Sequence, residues 1–419
     1  MNNLFNSKKE LLLFFIVAFT IFGLNLSYEF YKFKDFKTLK FRYVDAVVEQ
    51  SYLKTKNDKT YRVLKLKNGD FSFYTTTKKE NELKRYDNIK LGVITDKITF
   101  KEYIKKSFYL KSFNIKKLQN SPNFKNNLIN FISNQHENDK IKELYSTLYL
   151  ATPISKELRN DVTKWGIAHV VSISGFHLGI IFTTIFLLLT PIYRFFQNRF
   201  FPYRSRYFDI SLVAFLLMVF YLFLLDFTPA FLRSLLMSAL AFLFLVKNLK
   251  IFSFWTLFLT IIISICFMPN LVFSVGFYFS CLGVFYIYLY LHHFKNLFKS
   301  TKIGILKHIL VFNIYVFFAM NIPVYYYFNT FTFSQIAVIP IGYIFTIFYP
   351  LSLFLHIFGA GNLMDELLLN FLNYNIKTYE IFIPPMLFYS LNLLNFVAIK
   401  NRLVAILLPL FGLIPIFFI

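Results

Sequence analysis

The alternation of apolar and polar positions divides the chain into three textures. The first is a short apolar run from Leu11 to about Leu26, preceded by Lys8 and Lys9. It is long enough to span a bilayer and lacks a small-residue cleavage site of the Ala-x-Ala type. It therefore predicts an uncleaved anchor over residues 1–29 with its N-terminus in the cytoplasm. From about Phe41 to Phe108 the texture turns to charged, β-branched alternation. Strands are predicted at Phe41–Val48, Tyr61–Leu66, Phe71–Thr76 and Asn88–Thr95, with Asn68-Gly69 as a hairpin turn between the second and third. Short strands so spaced suggest a small β-barrel, OB-like as the leading form, over residues 30–110. Residues 111–165 read as a helical connector: Leu128–His136 and Lys140–Leu150 carry apolar residues at helical spacing, Ser155–Lys164 follows, and Pro122 and Pro153 punctuate.

The third texture fills residues 166–419. Apolar runs stand at about 168–192, 207–225, 229–246, 251–268, 271–291, 308–326, 332–358, 381–399 and 402–419. The fold class is thus a polytopic α-helical membrane protein, with the small OB-like β-domain inserted after its first transmembrane helix. Loops between the runs alternate in charge. Arg194, Arg199, Arg204 and Arg206 fill one, and Asp226–Pro229 has no basic residue. Lys247 and Lys250 fill the next, and Pro269-Asn270 is uncharged before Lys295, Lys299, Lys302 and Lys307. Basic loops inside and uncharged loops outside put residues 30–165 on the outer side of a cytoplasmic membrane. The alternation breaks after Phe331. For Lys400 and Arg402 to be cytoplasmic, either 332–358 or the amphipathic stretch 363–380 has to be re-entrant or interfacial.

Composition strengthens this picture. Of 419 residues 56% are hydrophobic, and mean hydropathy is +0.51. The 58 Phe and 28 Tyr partly reflect a bias toward Phe, Ile, Lys and Asn. Two cysteines, Cys266 and Cys281, lie inside apolar runs, which implies neither a disulfide framework nor a thiolate metal site. Net charge is +23, and it is concentrated: between residues 30 and 125 Lys and Arg outnumber Asp and Glu more than twofold. Soluble domains translocate largely regardless of charge, so positive-inside bias does not explain that excess. A lysine-rich solvated surface does, and so does a single-stranded nucleic acid, whose phosphates follow cations while its bases stack on rings. For the second reading the candidates are Lys65, Lys67, Phe71, Phe73, Tyr74 and Arg85, among interleaved rings that include Tyr43, Tyr52 and Tyr61.

Candidate chemistry concentrates in Trp165 to Ile181, where an apolar run opens with His169, Ser172, Ser174, Gly175, His177 and Gly179. Unpaired polar groups cost several kcal/mol in hydrocarbon, so these must face other helices or a wet cavity. An intramembrane serine protease needs nucleophile and base on facing helices, but Ser174 and His177 are three apart on one element. A metal site lacks further ligands beside His169 and His177. A proton-coupled transporter could use the histidines and Asp226, yet no acidic residue lies deep in a span. Close helix packing through Ser172, Ser174, Gly175 and Gly179 holds under any function.

The stretch His169-Val-Val-Ser-Ile-Ser174-Gly175-Phe-His177-Leu resembles the His-Leu-Leu-Ala-Ile-Ser-Gly-Leu-His-Val pattern of the ComEC family of DNA-uptake channels. Three further blocks follow in the family's order. Thr228-Pro229-Ala230-Phe231-Leu232-Arg233-Ser234 has serine where alanine is usual. Pro269 to Ser280 has Tyr278 in place of glutamine, and Pro323 to Pro340 has Gln335 at an asparagine position. The resemblance implies a competence-type channel domain over 166–419, with His169, Ser172, Ser174, Gly175, His177, Arg233, Ser280 and Gln335 lining or bracing a passage for one DNA strand. Arg233 would meet phosphate or pair with Asp226. The implied partners are single-stranded DNA, a periplasmic DNA receptor, a cytosolic helicase-type motor and the lipid membrane. A homo-oligomer is compatible with the resemblance, which implies neither a cofactor nor a metal. Many family members carry a metallo-β-lactamase-like domain. No His-x-His-x-Asp-His pattern occurs among the seven histidines here, so a short, non-enzymatic form is expected. Nor does a phosphate-binding Gly-rich loop ending in Lys occur. The rival reading is a permease for another polyanion, such as a phosphate-bearing envelope precursor.

Overall fold

The computed structural model describes residues 7–56, 59–69, 71–79, 83–118, 124–246, 253–298 and 301–415. Helix α1 (Lys8–Lys37) starts on a Ser7 cap and rests on helix α10 (Phe254–Phe267), where Asn25 donates to the Cys266 carbonyl at 2.7 Å. Its last turns leave the apolar stretch. Phe33 and Phe36 are buried in the core of the β-domain, with Phe36 edge-on to Phe71 at 5.2 Å. The anchor is thereby tied to the sheet by packing as well as by chain continuity.

Strands β1 (Phe41–Lys56), β2 (Lys59–Asn68), β3 (Phe71–Lys78) and β4 (Asn88–Ile94) occupy the predicted places, and β1 runs well past Val48 through a bulge between Val48 and Gln50. Asn68 pairs with Phe71, which puts the hairpin turn at Asn68-Gly69 as expected, although position 70 lies outside the described residues. After helix α2 (Phe100–Ile104), begun by a Thr99/Glu102 capping box, come two strands the pattern did not predict, β5 (Ser107–Tyr109) and β6 (Lys111–Lys117). The order is β5-β3-β2-β1-β4-β6, one six-stranded sheet. β5 runs parallel to β3 and β6 antiparallel to β4, and only the buried Leu110 separates them.

The connector folds as helices α3 (Phe124–Ser133), α4 (Asp139–Leu150), α5 (Lys156–Lys164) and α6 (Ala168–Val171). Tyr145, Leu148, Leu158 and Val162 share one core with Phe345 and Tyr349 of the membrane region, so the connector is packed against the spans. Polar contacts fix it on both sides. Arg85 bridges Glu143 at 3.2 Å and reaches the Pro153 carbonyl, and Gln50 donates to the Ile154 carbonyl. A buried chain also links it to the far end of the molecule. His136 faces Asp365 at 2.9 Å and His356 at 3.0 Å, and the Tyr149 hydroxyl donates to Ser352 at 2.8 Å.

In the membrane region lie α7 (Gly175–Phe200), α8 (Arg206–Leu224), α9 (Pro229–Val246), α10, α11 (Val275–Phe294) and α12 (Lys302–Tyr327). Beyond a two-residue strand β7 (Thr330–Phe331) come α13 (Val338–Ile357) and α14 (Asp365–Asn373). Strand β8 (Tyr379–Glu380), α15 (Pro385–Ala398) and α16 (Arg402–Phe411) complete it. Six described helices, α1 among them, are long and apolar enough to cross a bilayer. The chain is a multi-pass membrane protein. The apolar run at 168–192 is not one helix: it breaks at Ser172–Ser174, because Ser174 caps α7 instead of continuing α6. β7 pairs with β8, so the stretch between them, α13 and α14 included, leaves from one point and returns to it.

Candidate functional site

Ser174 is a helix N-cap, and the residue three positions on is His177, which stands where a capping box usually has Glu or Gln. The Ser174 N–H donates to His177 Nδ1 at 3.3 Å. In the neutral ring that bond leaves the proton on Nε2. The His177 side chain is wholly buried between Phe345 and Tyr349, ring centroids 5.2 and 5.0 Å away, and its Nε2 has no partner among the described residues. One face of the first turn of α7 therefore meets α13.

Its other face meets α9. A Cβ placed on Gly175 would come within 2.8 Å of Ser234 Oγ, so a side chain there would have to displace Ser234. Gly179 has no atom within 4 Å of the same construction, so of the two glycines only Gly175 sits at a helix contact. Ser234 Oγ donates to the Ala230 carbonyl at 2.9 Å and accepts from Arg233 Nη2 at 3.3 Å. Arg233 is 2% exposed, and its Nε and Nη1 have no partner among the described residues. Its guanidinium lies 6.0 Å from the Phe277 ring centre, on the first turn of α11.

Three helix N-termini thus meet: α7 touches α9 through Gly175 and Ser234, and α9 touches α11 through Arg233 and Phe277. Each N-terminus carries partial positive charge from unsatisfied N–H groups. A buried arginine with two idle N–H groups adds a full charge at the same place. Such an arrangement favours an anion, and a bidentate one most of all.

The expected pair between Arg233 and Asp226 does not form. Asp226, in the α8–α9 loop, takes Lys67 of β2 at 3.0 Å and Lys125 of α3 at 2.6 Å. Burial works to raise its carboxyl pKa, but the two ammonium groups outweigh burial and hold it below the usual carboxylate range. Asp226 therefore serves as a clamp for the β-domain and connector.

The remaining residues of the motif spread out. His169 and Ser172 are exposed at α6, and Ser280 is half-buried one turn beyond Gly276 on α11. Gln335 is a buried brace. Its Oε1 accepts from Tyr325 at 2.8 Å, its Nε2 donates to the Thr163 and Thr330 carbonyls, and it packs on Gly166, whose φ is +70°.

Of the six candidates of the β-domain, Phe71 and Phe73 require correction. Phe71 and Phe73 are core residues, 7% and 0% exposed, because the inward face of β3 carries both rings; neither can receive a base. Lys65 is paired with Glu49 at 2.7 Å, Lys67 with Asp226, and Arg85 with Glu143. Of the six, Tyr74 alone keeps a partly open side chain with no ion pair or side-chain hydrogen bond among the described residues. The exposed rings of this sheet are others, Phe41, Tyr43 and Phe113 among them. Phe41 and Phe113 were not singled out from the sequence. The signal that was legible is Gly92 opposite them in β4, a strand glycine where a ring crosses.

Comparison with known families gives one match, to the family described as Competence protein, over residues 151–419. No curated protein and no solved structure matches the chain.

Proposed function

The chain belongs to the Competence protein family, and on that footing we propose that it carries one strand of DNA across the cytoplasmic membrane during natural transformation. The observation that carries this reading is Arg233: buried, with two guanidinium nitrogens that have no partner among the described residues, where three helix N-termini meet. Phosphodiesters are the anions that such a site would greet one after another. Arg233 and His177 are closed to solvent, so this is a resting state, and the helices bearing Gly175 and Ser234 have to part for a strand to pass.

The N-terminus is cytoplasmic, and the β-domain and connector stand on the outer side. Supporting this are the basic loop at Arg194–Arg206 and the return of the β7–β8 excursion to its starting point, which leaves Lys400 and Arg402 inside. The domain limits are 1–29, 30–117, 118–165 and 166–419, the β-domain running past the expected limit at 110 because β6 pairs with β4. The β-domain is an OB-like barrel. In favour is the continuity of β5 into β6, one paired with β3 and the other with β4, and the 2.6 Å bond from Thr75 to Ser112 across the seam between them. A periplasmic receptor delivers the DNA, and a cytosolic helicase-type motor draws it in. The chain itself catalyses no reaction.

Fluorescent DNA followed in cells with and without the chain tests this. A clean deletion should let DNA reach the periplasm and stop there, with entry restored by the gene in trans. Undiminished entry into the cytosol of the deletion strain would contradict the proposal.

A further inference from the structure

The outer face of β1, β4 and β6 carries an arrangement that neither the membrane helices nor the domain core requires. Strand alternation sends Val44, Ala46 and Val48 inward and Phe41, Tyr43 and Asp45 outward. Three cross-strand rows follow from the register: Phe41–Ile94–Lys111, Tyr43–Gly92–Phe113 and Asp45–Lys90–Lys116. Gly92 decides the middle row. A Cβ there would run into the Phe113 ring, so glycine lets that ring lie down across β4 toward Tyr43. The ring centres of Phe41 and Tyr43 stand 5.8 and 6.1 Å from that of Phe113, and Asn114 donates to the Tyr43 hydroxyl at 3.3 Å. The trio remains 61%, 56% and 38% exposed.

Around these rings stand cations. Lys111, Lys90 and Lys116 are exposed, against the single carboxylate of Asp45 in the three rows. Beyond β6 the face continues into a groove of about 780 Å³. Phe113 and Asn114 form one wall of it, Lys59, Lys78 and Lys79 stand around it, and none of the described residues that line it is acidic. Rings that lead into a concave track of lysines and hydroxyls match a strand that stacks its bases and follows its phosphates. A flat lipid surface would use the rings but not the groove.

We propose that this face, with Tyr43 and Phe113 as stacking rings and Lys90, Lys111 and Lys116 as phosphate contacts, is where single-stranded nucleic acid docks before passage. The inference rests on the reading of the chain as a DNA carrier and adds to it the site of first contact.

The test is anisotropy of a labelled oligothymidine with the full chain in nanodiscs. Tyr43→Ala should weaken binding about tenfold, as loss of one stacked base does. Tyr43 projects from the sheet, so that change should leave the melting temperature in place. Phe113→Leu, which keeps cover over Gly92, should do the same. Changing Lys90, Lys111 and Lys116 together to Gln should flatten the slope of log affinity against log salt by about 2, three contacts at about 0.7 each. Maleimide labelling of a Lys111→Cys variant should be blocked by the oligothymidine. Unchanged affinity in these variants, or no binding by the parent chain, overturns the site while leaving the deletion test of DNA entry untouched. So does labelling blocked by phosphatidylglycerol nanodiscs without any oligothymidine, since the face would then belong to the membrane.

Discussion

Arg233→Ala is expected to abolish entry of DNA into the cytosol, by about 100-fold, while the protein stays folded and abundant. Both halves follow from the same geometry. Arg233 is 2% exposed, and among the described residues its one hydrogen bond is Nη2 to Ser234 at 3.3 Å, which leaves Nε and Nη1 without a partner there. An uncompensated buried charge is a stability cost, so removing it should leave the melting temperature equal or higher. A structural arginine would behave in the opposite way, because truncating one partner of a buried pair strands the other. In transit, two charge-assisted bonds to a phosphate would contribute about 3 kcal/mol, and 1.4 kcal/mol corresponds to a factor of ten. Arg233→Lys keeps charge but not the planar fork, so entry should fall by only about tenfold. Quantified cytosolic fluorescence and membrane levels, measured on the same cells, check both halves. A destabilised Arg233→Ala protein would mean that the arginine braces the fold.

Gly412→Val should remove the protein from the membrane. Gly412 caps the C-terminus of α16 and lies so close to α12 that any Cβ would collide with the Phe318 carbonyl oxygen. The same approach is held by Asn321, which donates to the Gly412 carbonyl at 3.1 Å, and by Tyr315, which donates to the Ala405 carbonyl at 2.9 Å. The obstacle is backbone and cannot turn aside, so the two helices would have to separate and give up both bonds. Overpacking of this kind costs about 3 kcal/mol. Detergent-extracted protein should lose its monodisperse size-exclusion peak. Gly179→Ala and Gly283→Ala, where a Cβ meets nothing within 4 Å, should keep it.

How far these features were legible in the sequence varies by element, for physical reasons. β2 and β3 were readable because alternation and Asn68-Gly69 agree. β5 and β6 were not, since the first has three residues and the second carries lysines at both ends. Period-two alternation reveals two faces but does not say which is the core when both are apolar. In β1 the rings Phe41 and Tyr43 go out and Val44 and Ala46 go in, whereas in β3 the rings Phe71 and Phe73 go in. Choosing Phe71 and Phe73 as base-stacking residues failed on that ambiguity. The polar opening of the run at 168–192 stood out in the sequence, but apolar flanks hid its break. Ser174 followed three positions later by His177 was the available sign of a new helix start. Long-range polar partners left no local trace. His136 and Asp365 are far apart in the chain, and nothing near Asp226 announces Lys67 and Lys125.

The most direct measurement places a photoreactive side chain at Phe176, which lies on the first turn of α7 beside Gly175 and is 37% exposed. A matched control goes at Leu188, further along the same helix and 59% exposed. DNA carrying a bulky terminal block is then stalled during uptake and the cells are illuminated. If the strand passes where α7, α9 and α11 meet, position 176 will crosslink single-stranded DNA only while uptake is in progress, and position 188 will not. If DNA stalls in the membrane while position 176 stays silent, the strand travels elsewhere and the site built on Arg233 is not its passage.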